Sequence, residues 1–446
     1  MAARENPAPA RPEQPHRPDR IWEDFRPKPP PCRLGAPASL IGKADYRISQ
    51  IKFMKRSFSL ITIVRPTRHS ILCLVLGILA VHAPRTAMAQ VSYSTPYSFS
   101  TLAAKTELGK AGGSAGALPF SSPRGLAVDA AGTVYVANTR NHTICRITPA
   151  GVATILAGRA GCPGSVDGTG AAVRFRYPHG LALDGAGNLY VADAGNNTIR
   201  RVTPGGVVTT VAGIAGHSGS ADGVAATASF DYPNSLAVDG AGNVYVADQC
   251  NATIRKITPE GAVTTLAGKA GSCGSADGRG GAARFNFPTG IAADSAGNVY
   301  VADFCNNAIR EVTPDGAVTT LAGRLTYSVG GLDGAGDAAQ FYHPCGVAVD
   351  RADDVYVADT SNHTIRRVTP TGAVTTLAGV AGEAGHADGT GAAARFEHPF
   401  CLALDGAGNL YVAELGDSAV RKGSPARPPS APLLRPPGLG FSFTSR

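Results

Sequence analysis

The stretch Asn188–Gly213, NLYVADAGNNTIRRVTPGGVVTTVAG, and its near copy Asn243–Gly268, NVYVADQCNATIRKITPEGAVTTLAG, decide the fold. Each holds three short runs rich in Val, Ile, Leu, Tyr and Thr. Their pattern has the two-residue period of strands and lacks the 3.6-residue spacing of a helix. A fourth run precedes each, because [LIV]-A-[LVA]-D closes at Asp129, Asp184, Asp239, Asp294, Asp350 and Asp405, at intervals of 55 or 56 residues. Six units of one period are the mark of a repeat protein.

The connections agree. DGAGN at Asp184–Asn188 sets Gly where a tight hairpin needs positive φ, and TPGG and TPEG set Pro and then Gly at the next turn. Hairpin after hairpin makes a meander. The small residues Ala127, Ala182, Ala237, Ala292, Ala348 and Ala403 recur on the first run of each unit, which marks it as the strand crowded around an axis. The expected fold is all-β, a six-bladed β-propeller of four-stranded antiparallel blades. The sixth unit, YVAELGDSAVRK, ends at Lys422 without a fourth run, and YSFSTLA at Tyr97–Ala103 supplies one. Leu102 stands 27 residues before Asp129, much as Leu156 stands 28 before Asp184. The N-terminal strand should therefore close the ring and remove an open sheet edge.

The consensus P-x-G-[LIV]-A-[LVA]-D-x-A-G-N-[LV]-Y-V-A-D-x-x-N-[NH]-x-I-R resembles the NHL repeat, and the whole of residues 97–422 is similar to TolB-like, NHL-type propellers. That resemblance implies the fold and leaves function open. Such propellers serve as protein-binding platforms, as RNA-binding domains, and in a few lineages as enzymes, including amidating lyases and gluconolactonase-like hydrolases.

The flanks read differently. Residues 1–53 are Pro- and Arg-rich with no periodic apolar face, and are expected to be disordered or to precede the true start at Met54. Residues 54–89 have the form of a signal peptide: Lys55, Arg56, Arg65 and Arg68, then the apolar run Ile71–Val81, then Ala87-Met88-Ala89. An uncleaved anchor is the alternative, although the run is short of the ~20 residues a spanning helix needs. The propeller is expected over 90–422 and a Pro-rich disordered tail over 423–446. Of the net charge of +8, the first 89 residues hold 15 Lys and Arg against 6 Asp and Glu, leaving 26 against 27 in the rest. Without a basic footprint, nucleic acid is excluded as the expected partner.

A residue repeated in every unit marks no unique site. Asp193, Asp248, Asp303 and Asp359, with Asn138 and Glu414 in their place in two units, are read as carboxylates bonding loop N–H groups. Arg200, Arg255, Arg310, Arg366 and Arg421 are read as solvated partners of acidic loops. The Gly- and Asp-Gly-rich linkers carry turn chemistry, and His142 and His363 share a repeated framework slot. No H-E-x-x-H or C-x-x-C occurs after residue 89. His179, His343 and His398, all just before inner strands, are the candidate metal ligands. Their registers disagree, so no metal is assigned, and Zn or Ca would be the only cofactor. Seven cysteines follow residue 89, and in an oxidising compartment Cys250 and Cys273 are expected to pair, with Cys305 and Cys345 as the second candidate pair.

What does not repeat is the residue after the proline opening each inner strand: Arg124, His179, Asn234, Thr289, Cys345 and Phe400. These six are expected to ring the mouth of the central channel as a ligand site. The resulting expectation is a secreted or periplasmic monomer, meeting the membrane only through its export signal, that binds a protein or small molecule. The alternative is a lactonase, hydrolase or lyase with a metal in the channel.

Overall fold

The computed structural model describes residues 96–104, 120–325 and 329–426. The expected leader segments, 1–53 and 54–89, and the tail from 427 onward lie outside them.

Six antiparallel sheets form, and neighbouring strands in each are consecutive hairpins except where the ring closes and where a linker strand adds to the outer edge. Blade two runs Pro178–Leu183, Leu189–Asp193, Thr198–Val202 and Val207–Ala212 from the axis outward. The inner turn is an Asx turn: Asp184 Oδ1 accepts from the N–H groups of Ala186 (2.9 Å) and Asn188 (2.8 Å), and Gly187 takes a φ of +80°. The same geometry recurs at Asp239, Asp294 and Asp405.

Blades two to six each gain a fifth, two-residue strand. It comes from the linker leading into the blade and pairs with the outer strand, as Gly168–Thr169 does on Val207 and Val208. The linkers therefore do more than turn.

No blade has a core of its own. Six apolar clusters lie between neighbouring blades, such as Ala137, Ile144 and Ala157 of blade one against Leu181, Val191, Val202 and Val208 of blade two. Each sheet is apolar on both faces, and its stability is that of its two interfaces. Near the axis the inner strands almost touch. A Cβ on Gly125 would stand 2.0 Å from the His179 carbonyl oxygen, and one on Gly290 would stand 2.1 Å from that of Cys345.

Closure follows the sequence reading. The outer strand of blade six is Tyr97–Ala103, paired with Val420–Pro425 from Tyr97↔Pro425 to Ala103↔Val420. The blade thus runs three residues past the expected boundary at Lys422. Phe99 is 2% exposed, lies over Gly423 and meets Phe396 edge-on at 5.0 Å.

Phe99→Ala should cost about 3–5 kcal/mol, as for other buried Phe truncations, and deletion of 97–103 should lower the melting temperature further. Deletion of 427–446 removes none of these contacts and should leave melting unchanged. Equal melting of the two truncations would refute closure by the N-terminal strand.

Candidate functional site

The repeated residues build a frame, and its centre is not where the charges suggested. Arg200, Arg255, Arg310, Arg366 and Arg421 are fully buried, so their reading as solvated surface partners is corrected. Each guanidinium donates through Nη1 to a buried acid, Asp193, Asp248, Asp303, Asp359 or Glu414, at 2.7–2.9 Å. Through Nη2 it meets the linker acid, Asp167, Asp222, Asp277, Asp333 or Asp388, at 2.5–2.8 Å. It also lies 5.1–5.3 Å from a Phe ring centroid. A long cationic side chain at the start of a strand reads as surface in sequence. Burial is possible here because two carboxylates, two backbone carbonyls and an aromatic ring enclose it.

The buried acids also bond backwards along the chain. Asp193 Oδ1 accepts from the N–H of Arg176 at 2.7 Å, in the linker before the blade and not in the loop after it. Its Oδ2 accepts from Asn196, whose amide also donates to the Gly164 carbonyl. Blade one replaces both members of the ion pair together. Asn138 stands for the acid and buried Cys145 for the arginine, with Asn138 Oδ1 still accepting from the Ser121 N–H at 2.8 Å. In blade six, burial and then the charge of Asp417 push the Glu414 carboxyl up to about 8.

A second repeated device joins blade to blade. The residues before the inner-strand prolines, Ser122, Tyr177, Tyr232, Phe287, His343 and His398, all have φ between 49° and 56°. Four of their N–H groups donate to a slot residue of the preceding blade: Tyr177 to His142 Nδ1, Tyr232 to Asn197, His343 to Asn307 and His398 to His363 Nδ1. His142 and His363 are therefore framework, as their repetition implied. Each accepts through Nδ1, which places the proton on Nε2. Burial pulls both imidazoles down, His363 to about 4 with help from His398, and His142 with help from Arg176.

The candidate metal ligands engage separate neighbours. His179 meets the Tyr232 ring edge-on and its hydroxyl at 3.3 Å, His343 stacks on Phe304 at 4.4 Å, and His398 packs on His363. Cys250 and Cys273, expected as a disulfide, are not bonded to each other, and neither are Cys305 and Cys345. Cys273 lies in electrostatic reach of both Cys250 and Cys305, so shared face alone selects no single partner. Burial pushes the Cys250 and Cys305 thiols up to about 12.

The six non-repeated residues do gather at one end of the axis. Arg124 lies over the Phe400 ring at 5.3 Å, Thr289 Oγ1 donates to the Cys345 carbonyl at 3.1 Å, and Asn234 donates to Gln249 at 3.0 Å. All six are buried, none more than 6% exposed. They form a plug in the axis, and Arg124 holds the buried His179 imidazole neutral, well below its usual range after the larger effect of burial. Around the plug, at the same ends of the inner strands, stand Tyr177, Tyr232, Phe287, His343 and His398. Tyr177 is 43% exposed and the other four are partly so. At the opposite face, between blades one and six, a cavity of about 640 Å³ is lined by residues that include Asp129, Asp405, Tyr411 and Lys422.

The NHL repeat model matches residues 120–147, 175–202, 230–257, 285–311 and 341–368, in blades one to five. The chain is 28% identical over 328 residues to Protein SUPPRESSOR OF QUENCHING 1 of Arabidopsis thaliana, a match covering 68% of this chain and 30% of that protein. It is 27% identical over 342 residues to NHL repeat-containing protein 2 of Bos taurus, covering 68% and 46%. The chain thus spans less than half the length of these curated relatives. Among solved structures, it is similar to a protein of unknown function from Bacteroides thetaiotaomicron (TM-score 0.55, 20% identity, 74% of this chain and 76% of that one). It is also similar to an auxiliary nutrient binding protein from Bacteroides ovatus (0.56, 20%, 75% and 78%).

Arg255→Cys alone should cost about 3–5 kcal/mol, because it leaves Asp248 buried without its cation. Adding Asp248→Asn, which copies the neutral pair of blade one, should recover part of that loss. Strictly additive losses in a double-mutant cycle would show that the pair is not coupled. The imidazoles predict a pH effect of defined sign. Folding holds His142 and His363 neutral below the ordinary value near 6.5, so the stability they contribute is present above that pH and lost as pH falls below it, for His363 towards about 4. In the double variant H142N/H363N, the amide oxygen takes over as in Asn197 and Asn307, and the loss of melting temperature over that range should shrink. An unchanged slope would count against this.

Proposed function

We propose that this chain, a six-bladed propeller of NHL repeats, is an exported binding module. It holds a protein segment or small molecule on the face where the aromatic rim surrounds the axial plug. The observation that carries this reading is the division of labour among its residues. Repeated polar groups are used up inside the frame, in the arginine ion pairs and the slot contacts between blades. The polar groups that differ from blade to blade, Arg124, His179, Asn234 and Thr289, collect at one end of the axis.

The rim suits binding on physical grounds. Tyr177, Tyr232, Phe287, His343 and His398 offer flat, stiff rings that lose little conformational entropy on contact, and their backbones are fixed by the proline that follows. Beneath them, Arg124 and His179 supply one fixed cation and one neutral imidazole. Auxiliary nutrient-binding proteins built on the same fold support the idea that such a propeller carries binding, while the ligand must be set by this chain's own rim and plug. Export rests on the form of residues 54–89, and cleavage after Ala89 predicts secreted material beginning at Gln90. No helix among the described residues is long and apolar enough to cross a membrane.

The test is a thermal-shift screen of small molecules and peptides against the wild type, Tyr177→Ala, Arg124→Ala and His179→Ala, with Lys422→Ala in the opposite cavity as control. Hits should weaken in the first three variants and persist in the fourth. Hits lost only in Lys422→Ala would move the site to the cavity between blades one and six.

A further inference from the structure

Blade six departs from the repeat at Glu414, Asp417 and His386, and these three meet Glu397, at a position that varies from blade to blade. Where blades two to five carry Asn196, Asn251, Asn306 and Asn362, blade six carries Asp417. Those asparagines donate to the buried acid of their blade and to a linker carbonyl. An aspartate donates nothing and adds a second carboxylate beside the buried acid, here Glu414. The linker residue that is Ser165, Ser220, Ser275 or Gly331 elsewhere is His386, and the residue equivalent to Arg176, Asp231, Asn286 and Tyr342 is Glu397.

His386 reaches across the group. Its Nδ1 lies 3.2 Å from Asp417 Oδ2 and its Nε2 lies 3.1 Å from Glu397 Oε2. One ligand atom each from His386, Glu414 and Asp417 falls within 4.8 Å of the others. Gly416 leaves room for this arrangement, since a Cβ there would stand 2.3 Å from the Glu397 side chain. The charges do not balance as they do elsewhere. In blade four, with Asn286 at the position of Glu397 and Asn306 at that of Asp417, Arg310 faces Asp277 and Asp303, whereas Arg421 faces Asp388 and Glu414 with Asp417 and Glu397 added. His386 is half exposed, so an ion can enter from solvent, while Glu414 is fully buried and anchors the inner side.

We propose that His386, Glu414 and Asp417 bind a divalent cation of the zinc class, with Glu397 beside them, and that this ion replaces the asparagine contact that holds linker to blade in the other units. One imidazole nitrogen and two carboxylate oxygens are a donor set for Zn²⁺, and three protein ligands leave a position for water. The place matters, because the same linker carries Asp388, which accepts from the N–H and hydroxyl of Thr101 on the N-terminal strand. The ion would fasten the linker that binds the strand closing the ring. This site does not rest on the binding role proposed for the axial plug.

The full chain, stripped with chelator and dialysed, is titrated calorimetrically with ZnCl₂, with CaCl₂ as a parallel arm, and its melting followed with and without metal. The expected result is one Zn²⁺ per chain and a higher melting temperature when it is bound. His386→Ala and Asp417→Asn should each weaken Zn²⁺ more than about tenfold, while His217→Ala, at an exposed histidine of another linker, should not. Asp417→Asn restores the residue of blades two to five, so it should melt no lower than metal-free wild type and lose the response to Zn²⁺. Absence of saturable Zn²⁺ binding to the wild type would overturn the proposal. So would equal affinity in wild type, His386→Ala and Asp417→Asn, or Ca²⁺ binding that neither variant alters.

Discussion

A guanidinium with no access to water organises five of the six blades. Removing an arginine from water is costly unless charge and hydrogen bonds replace the solvent, and here the replacements come from three different segments. The buried acid ends the second strand, the half-exposed acid sits in the linker, and the Phe ring and carbonyls precede the inner strand. One side chain therefore ties together parts of the chain separated by 7 to 34 residues. Because the linker acid also accepts from the outer strand, as Asp167 does from Thr210, the same cation registers the inner and outer edges of its sheet. The apolar cores between blades supply the larger share of stability, but they are not directional, and the ion pair is what fixes where each linker lies.

Blade one shows how such a unit can be relaxed. With Asn138 and Cys145 in place of the charged pair, its second and third strands still pair from Val134↔Ile147 to Asn138↔Thr143. The backbone contact to Ser121 survives and only the charge is gone. Blade six goes the other way and adds charge. The repeat tolerates either change because each blade touches only its two neighbours, so a local alteration stays local.

The architecture was legible because period two, the Asx turns and the small residues of the inner strands are local signals. Closure by Tyr97–Ala103 was legible as well, since a missing strand at one end and a spare one at the other are matters of counting. The arginines were misread because burial of a charge depends on partners such as Asp167 and Asp193, which sequence does not show to be adjacent to Arg200. The axial six were grouped by their failure to repeat, and their burial depends on how closely Gly125 and Gly290 let the inner strands approach. The rim rings, Tyr177 and its equivalents, carry a local signal, a ring before the inner-strand proline in five of the six blades. His386, Glu397, Glu414 and Asp417 are each unremarkable alone, and only the register of blade six against the others brings them into view.

The seam in blade six also governs when the molecule can exist at all. The N–H of Ala426 donates to the carbonyl of Pro96 at 2.7 Å, so the first and last described residues of the ring are joined. A ribosome releases those two ends at opposite times. Blades two to five can assemble as they emerge, since their strands are consecutive, but the outer strand made first must wait for a partner made last. Until then Phe99 has no pocket and the sheet edge of Val420–Pro425 does not yet exist. The closing step spans more than 300 residues, and the entropy of that loop falls due in a single event once the partner strand has been made. A nascent chain of this design is an open arc, and it becomes a closed ring only after Val420–Pro425 has been made.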